Sequence, residues 1–559
     1  MAESSTEEIA VAYHERTKHH YQRFAASLGY LDWSTQPDPF RRYEGAPLHD
    51  LPLPRSGRLL PYWQLHAGGV PSEPLGLESV SLFFRYSLSV TAWKRLGEVT
   101  WPLRANPSSG NLHPTEGYAI LPALEGIGDE PVVVHYAPKE HALERRAVLA
   151  PASWSELVAI LPQGSFLVAL TSIYWREAWK YGERAFRYCQ HDVGHALAAM
   201  RIAAAALGWR LALLDGVGAS CMSRLLGLDR AADHGPAERE QAELLAVIMP
   251  GGSPAHALLP SGEAMNRLVA SDWRGRANSL SRAHLVDWPV IDEVARATRP
   301  GKNAAIPEDC ARFPSEEELF GVLVRSGRLS AERAILGRRS AVALDGSTSI
   351  SRETLFRMLA RVVPTQDRTG MPWDALPWRP RIHLGLFVHR VDGLVPGLYA
   401  LPRDPDRIES MRRALDPGFL WRRVPACPSG LPLYLLREED CRALAARVSC
   451  GQAIAGDGAF SLGMIADYMG SLKTHGASFY RNLFWEAGMV GQVLYLEAEE
   501  AGIRATGIGC YFDDPVHEAF GIASREWQSF YHFAVGGPVE DTRLTTLPPY
   551  LPRPGSQDR

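Results

Sequence analysis

No run of about 18 apolar residues occurs anywhere in the chain, so nothing in it reads as a membrane-spanning helix. Cysteine is sparse and unpatterned. The seven residues (Cys189, Cys221, Cys310, Cys427, Cys441, Cys450 and Cys510) are odd in number and never form a CxxC pair, which argues against a disulfide framework or a zinc cage. A reducing cytoplasm is the expected compartment. The first twenty residues are acidic and then basic, without the apolar stretch of a secretory or transit segment. Surplus basic charge is absent too: the formal net charge of -4 gives no footprint for nucleic acid or an anionic membrane. Among 18 histidines, His191 and His195 have the i, i+4 spacing of a metal-binding helix face, but the Glu of an HExxH pattern is missing and no metal is expected. Small molecules and proteins remain as partners.

What is present is a chain of 559 residues, 46% hydrophobic and 22% charged, long enough for more than one core. Residues 1–75 read as an N-terminal arm, with a helix from Glu7 to about Ala26 followed by a segment too rich in proline for regular structure. From Leu77 a helix spanning ESVSLFFRYSLSVTAWKRL is expected, then the strands GYAIL, VVVHY and FLVAL, then one long buried helix from TSIYWREAWKYG to Leu207, ended by Gly208. A later stretch repeats that helix. Gly182, Arg187, Gly194 and Gly208 recur as Gly476, Arg481, Gly488 and Gly502, each pair 294 positions apart, and the apolar ladder between them recurs in the same register. A gapless repeat of this length implies an internal duplication, and its long period implies two copies of one domain rather than a solenoid. The copies are placed at 76–255 and 325–559, with 256–324 as a Pro/Gly-rich linker. Two like domains in one chain can pack as a twofold dimer does, so a monomer with an internal pseudo-dimer is expected.

Three stretches carry candidate chemistry. Pro107-Ser108-Ser109-Gly110-Asn111 is a sharp loop rich in donors and backbone amides at the mouth of a strand; its residues fit a clasp for a polar ligand and equally an ordinary turn. Arg338-Arg339-Ser340 sets two fixed cations and a hydroxyl before a helix that Ser351 can cap, a combination suited to a phosphate or carboxylate. In the second copy, EEDCRALAARVSCGQAIAGDGAFSLGM reads as a helix. Near its end, Gly507 and Gly509 allow a backbone to approach a flat ligand, and Asp514-Pro515 has the form of an N-cap and first helical residue. Cys510, beside the glycine pair, reads as a small buried thiol rather than a redox partner, and His113 as either a substrate contact or a packing residue.

With PSSGNLHPTEGY, KYGERAFRY followed by DVGHAL, GRRS, and GQVLYLEAEEAGI with GIGCYFDD in that order, the sequence resembles the FMN-dependent nitroreductase family, and more narrowly its SagB-like azoline-oxidising dehydrogenase branch. The resemblance implies an α+β fold, a central sheet sandwiched by helices, as an intertwined dimer with FMN at the interface. It implies that Arg338, Arg339 and Ser340 hold the phosphate, that Gly507 and Gly509 lie near the flavin ring, that Gln452 and Asp457 lie near its edge, and that Arg543 is a further phosphate ligand. Pro107 to Asn111 would reach over from the other copy. Lys180-Tyr181 resembles the pair associated with proton abstraction in azoline oxidases, chemistry suited to a partly desolvated lysine beside a tyrosine.

The two copies differ in a complementary way. The second has GRRS and GIGCYFDD but no PSSGN, and it has Thr474-His475 where the first has Lys180-Tyr181; the first lacks GRRS and has Leu213-Leu214-Asp215 at the Gly507-Ile508-Gly509 positions. Bulky leucines and an anion would oppose a flavin there, so one FMN per chain is expected. The implied activity is dehydrogenation or oxidation of a peptide-like or heterocyclic small molecule. The alternatives are a NAD(P)H-dependent nitro or quinone reductase and, from another class, a degenerate non-catalytic scaffold or binding protein of a modification complex.

Overall fold

The structure, a computed structural model, describes residues 5–53, 60–253, 260–299, 301, 313–320, 327, 329–366 and 370–550; parts of the arm and linker, the expected start of the second copy and Cys310 lie outside these residues. Two helices, Ala185–Ala206 and Phe479–Glu500, form its centre. Every residue of the first and all but Asn482 of the second is buried, as a helix without a polar face requires. They cross where glycine permits backbone contact: a Cβ on Gly194 would collide with the carbonyl oxygen of Trp485, and one on Gly488 with that of His191. His191 and Trp485 are themselves 294 positions apart, so a patch meets its own counterpart, the isologous packing of a twofold dimer inside one chain. Ion pairs cross in both directions. Arg187 reaches Asp513 at 2.8 Å, and its counterpart Arg481 reaches Glu243.

Each central helix packs on its own antiparallel sheet, giving an α+β architecture. The eight-stranded sheet runs Ala270–Ser271, Ala142–Leu149, Val132–Ala137, Thr115–Leu121, Phe166–Ser172, Gln241–Pro250, Trp209–Leu213, with Leu48–Asp50 also pairing to Ala142–Leu149. The seven-stranded sheet runs Arg422–Arg423, Tyr434–Glu438, Gly397–Leu401, Ile382–Val388, Phe460–Asp467, Trp527–Gly536, Arg504–Ile508. Arm and linker thus each lend a short strand to the first sheet. The offset holds for whole elements. Helices Tyr174–Tyr181 and Ala219–Leu226 correspond to Tyr468–His475 and Asp513–Phe520, and the last pair end on left-handed Gly227 (φ 72) and Gly521 (φ 71).

Five expectations are corrected. The helix from Leu77 ends at Ser87, and Val90–Leu96 with Val99–Arg104 form a hairpin whose outer edge pairs with Thr545–Leu547 of the other half. The arm helix covers Thr6–Arg16 only, because the next residues are drawn into tertiary bonds: Lys18 to Asp514 at 3.1 Å, and the His19 amide to Asp513 at 2.9 Å. The long helix is broken at Gly182, which takes φ 55 and packs against the backbone of Ala26. The expected helix over residues 438–464 is the short helix Arg442–Val448, a turn at Ile454–Asp457, and the inner strand Phe460–Asp467, whose apolar run does not distinguish strand from buried helix by period. Helix Asp513–Phe520 also starts earlier than Asp514, with Phe512 as its N-cap residue. Ser351 does cap its helix, accepting from the Thr354 amide at 3.2 Å.

Candidate functional site

Ser108 enters the Pro-Ser-Ser loop extended, and Gly110 (φ 58), Asn111 (φ 60) and His113 (φ 51) turn it through left-handed conformations. Local bonds hold this shape. The His113 amide donates to Ser108 Oγ at 2.8 Å, Asn111 Nδ2 donates to the Pro102 carbonyl at 2.8 Å, and His113 Nε2 donates to Asn111 Oδ1 at 3.1 Å, which orients the Asn111 amide. Burial lowers the His113 pKa, so its ring is neutral. The loop is anchored by Asp192 of the central helix, which accepts from the Ser109 amide at 3.1 Å and the Ser109 hydroxyl at 3.2 Å. Burial pushes the Asp192 carboxyl up to about 7, against the pull of those serines.

The Lys-Tyr pair closes on the same loop. A Cβ on Gly110 would stand 2.6 Å from the Tyr181 hydroxyl and 3.1 Å from Lys180 Nζ. Lys180 is half-buried, its ammonium lies 5.2 Å from the Tyr181 ring centre, and no ion pair engages it among the described residues. Burial pushes the Tyr181 pKa far up, so that hydroxyl keeps its proton.

From the other half, the turn after helix Ala331–Gly337 presents Arg338, Arg339 and Ser340. Arg338 is buried and donates to carbonyls of the first half, Ala105 at 3.2 Å and Arg104 at 2.9 Å, and to Ser340 Oγ at 3.5 Å, with its guanidinium over the Tyr495 ring. Among the described residues the Arg339 guanidinium meets Thr91 and the carbonyls of Leu336 and Arg338, while its amide donates to Glu499. Burial and the neighbouring cation push Arg339 down to about 10. Arg504 pairs with Glu499, so three guanidinium groups face one carboxylate. Tyr495 ties this end together, sharing a 2.9 Å bond with Ser340 Oγ and accepting from the Gly507 amide at 2.9 Å.

Between loop and turn lies a cavity of about 670 Å³, within the range of cofactor sites. Its wall includes Pro107 to Asn111, Tyr181, Arg338 to Ser340, Gln452, Gly507 and Gly509. Both glycines are held bare by close neighbours: a Cβ on Gly507 would enter the Tyr531 hydroxyl, and one on Gly509 the ring of Tyr188. Gln452 spans to the Cys510 carbonyl at 2.9 Å. Lys180 packs on Gly110 without itself lining the cavity, and Asp457 and Arg543 stand apart from the rest. Asp457 ends its short helix beside Gly346, and Arg543 is fully exposed, its fork closed on Asp541 at 2.7 and 2.9 Å, so neither lines the cavity. His191 and His195 are spent on the Phe530 carbonyl (3.0 Å) and the Tyr531 hydroxyl (3.2 Å).

Sequence reasoning passed over Asp192, Tyr188, Tyr495 and Tyr531. A usable signal existed for Asp192, a carboxylate inside a helix with no solvent face, and for Tyr495, which interrupts an aliphatic ladder. At the offset-equivalent place the structure has only about 40 Å³, lined by Leu213, Leu214, Asp215 and Trp485.

The residues present suit a flat, phosphate-bearing cofactor: surplus guanidinium charge at one end, and bare backbone along a wall that a Cβ would fill. Comparison with known proteins agrees in kind. The sequence model of the Nitroreductase family matches residues 435–537. The trifolitoxin-processing protein TfxB of Rhizobium leguminosarum bv. trifolii is 29% identical over 169 residues, 29% of this chain and 45% of that protein, so the match spans less than half of that relative. In shape, a candidate nitroreductase from Anabaena variabilis covers 95% of this chain and 99% of its own with a TM-score of 0.66 at 21% identity.

Proposed function

We propose that this chain, a nitroreductase-fold protein whose residues 435–537 form a nitroreductase-family domain, is an FMN-dependent oxidoreductase of the SagB-like branch, acting on a peptide-like or heterocyclic substrate at one cavity shared by two tandem domains, 76–255 and 325–559. The observation that carries this reading is the cavity itself: a buried and a half-buried arginine, neither ion-paired among the described residues, stand beside a glycine-lined wall, and a loop from the other half closes the opposite side. Arg338, Arg339 and Ser340 hold the phosphate, the Gly507–Gly509 backbone runs along the ring, Gln452 sits at its edge, and Pro107 to Asn111 cover it. When bound, FMN supplies a two-electron acceptor. Lys180 Nζ, without an ion pair among the described residues and packed on Gly110, takes the substrate proton. Tyr181 remains a neutral hydroxyl donor beside it. The likeness to a trifolitoxin-processing protein supports a processing role on a peptide-like substrate.

The roughly seventeenfold smaller space at the equivalent place, about 40 against 670 Å³, supports one FMN per chain, and the internal twofold supports a monomer. Flavin released from purified protein is expected at one per chain. A ratio near two overturns the single site, and a colourless protein that refuses FMN overturns the enzyme reading in favour of a scaffold. Lys180→Met is expected to keep its flavin and lose about 10²- to 10⁴-fold in turnover, the usual worth of a positioned base; undiminished turnover removes Lys180 from the mechanism.

A further inference from the structure

Cys450 and Cys510 bring their sulfurs 2.8 Å apart, closer than unbonded sulfurs pack and a short step from the roughly 2.05 Å of a disulfide bond. The two thiols come from different loops. Cys450 sits after helix Arg442–Val448 at φ 56, followed by Gly451 at φ 72, and Cys510 follows the Gly507–Gly509 wall and lines the cavity. Gln452 fastens these loops to each other, donating through one nitrogen to the Ser449 and Cys510 carbonyls, both at 2.9 Å.

The surroundings distinguish the two sulfurs. His19 Nδ1 accepts the Ala25 amide at 2.9 Å, which leaves the hydrogen on Nε2, and the ring hydrogen-bonds Cys510. The hydrogen bond shared with Cys450, with His19 and Arg184 beside it, outweighs burial and pulls the Cys510 thiol well below its ordinary value, while the same bond pushes Cys450 up. Burial instead raises Cys189, Cys221, Cys427 and Cys441, which leaves Cys510 as the thiolate among the described cysteines. Both members of the pair are only partly buried, and the cavity gives a small molecule access to Cys510.

We propose that Cys450 and Cys510 form a reversible dithiol–disulfide couple on the cavity wall, oxidised by low-molecular-weight disulfides of the glutathione type. The Cys510 thiolate attacks one sulfur of the small disulfide, breaking its S–S bond and releasing one thiolate. Cys450 then loses its proton to the released thiolate and attacks Cys510, forming the Cys450–Cys510 bond and expelling the second small thiolate. The two cysteines lose two electrons and the small disulfide gains them. The couple needs no flavin, so it stands or falls independently of the function proposed above.

Full-length protein treated with oxidised glutathione is expected to lose two hydrogens in intact mass, to yield a crosslinked peptide joining positions 450 and 510, and to revert with dithiothreitol. Cys450→Ser should stop at a single glutathionyl group on Cys510, and Cys510→Ser should resist both steps. An unmodified wild type, a crosslink between other cysteines, or glutathionyl persisting on wild-type Cys510 overturns the proposal. Should either variant misfold, the wild type alone decides: Cys510 should be alkylated by iodoacetamide at pH values well below the ordinary cysteine midpoint of about 8.5, and a midpoint at that ordinary value overturns the proposal.

Discussion

Replacing Arg339 by methionine separates charge recognition from shape recognition in the cavity. The Arg339 guanidinium touches the Thr91 hydroxyl and the carbonyls of Thr91, Leu336 and Arg338, so no ion pair among the described residues takes up its charge, and methionine can fill much of the space of its aliphatic stem. A hydrogen bond from a charged donor contributes about 1.5–3 kcal/mol, and 1.4 kcal/mol is a factor of ten, so FMN affinity should fall about 10- to 150-fold. Riboflavin, the same ring system without the phosphate, should lose no more than about threefold, because nothing it presents reaches a guanidinium in the proposed arrangement. Both are measured by fluorescence titration of flavin-stripped protein. Arg339→Lys should recover part of the loss, since charge returns without the planar fork. Equal weakening of FMN and riboflavin would refute the reasoning, for it would mean that Arg339 shapes the wall rather than holding a phosphate.

The other expectations concern the wall, the anchor of the loop and the first sheet. Gly509→Ala places a methyl against the buried ring of Tyr188, and overpacking of this kind costs about 1–3 kcal/mol; flavin should be lost while far-ultraviolet circular dichroism stays unchanged, and normal flavin content would contradict the role given to that wall. Asp192, pushed up to about 7, should give kcat/KM an inflection near that pH, absent in Asp192→Asn; an identical profile in the variant would exclude it. His135 lies buried between Glu116 (3.1 Å) and Glu144 (2.8 Å), which raise it to about 9 despite burial. Its contribution, on the order of 3 kcal/mol, is complete below about pH 6.5 and is lost as pH rises through 9. Denaturant midpoints of wild type and His135→Gln should therefore converge between pH 7 and 10, and parallel curves would show that the pair of glutamates does not sustain the imidazolium.

The repeat was legible because its spacing is enforced by contact. Gly194 and Gly488 cannot change without driving two backbones apart, so the register that relates them persists while side chains elsewhere have diverged. The Pro-Ser-Ser loop and the Arg-Arg-Ser turn could be named from local chemistry, since turn residues and adjacent cations declare themselves within a few positions. The elements that misled are those whose cause lies far off in sequence. Nothing near Val90 announces a strand that is paired by residues 545–547. Nor does anything near Gly182 announce the Ala26 backbone that occupies the space a continuous helix would cross. Asp192 was hidden for a related reason: a carboxylate on a central helix acquires meaning only once the loop it anchors, more than eighty residues earlier, is seen beside it.

The hairpin strand Val90–Leu96 waits for its outer partner until Thr545–Leu547 has been made. At ribosomal speeds of about 5–20 residues per second that interval is roughly 20 to 90 seconds, during which a forming sheet edge is open to any other nascent chain. Lys94 and Arg95 sit on that edge, and charge there is a known deterrent to edge-to-edge aggregation. His19 and Lys18 wait comparably long for Asp513 and Asp514. The wall of the cavity is therefore among the last parts of the molecule to be completed, and a ribosome that stops short of residue 545 releases a chain with its central helices made and its edge still bare.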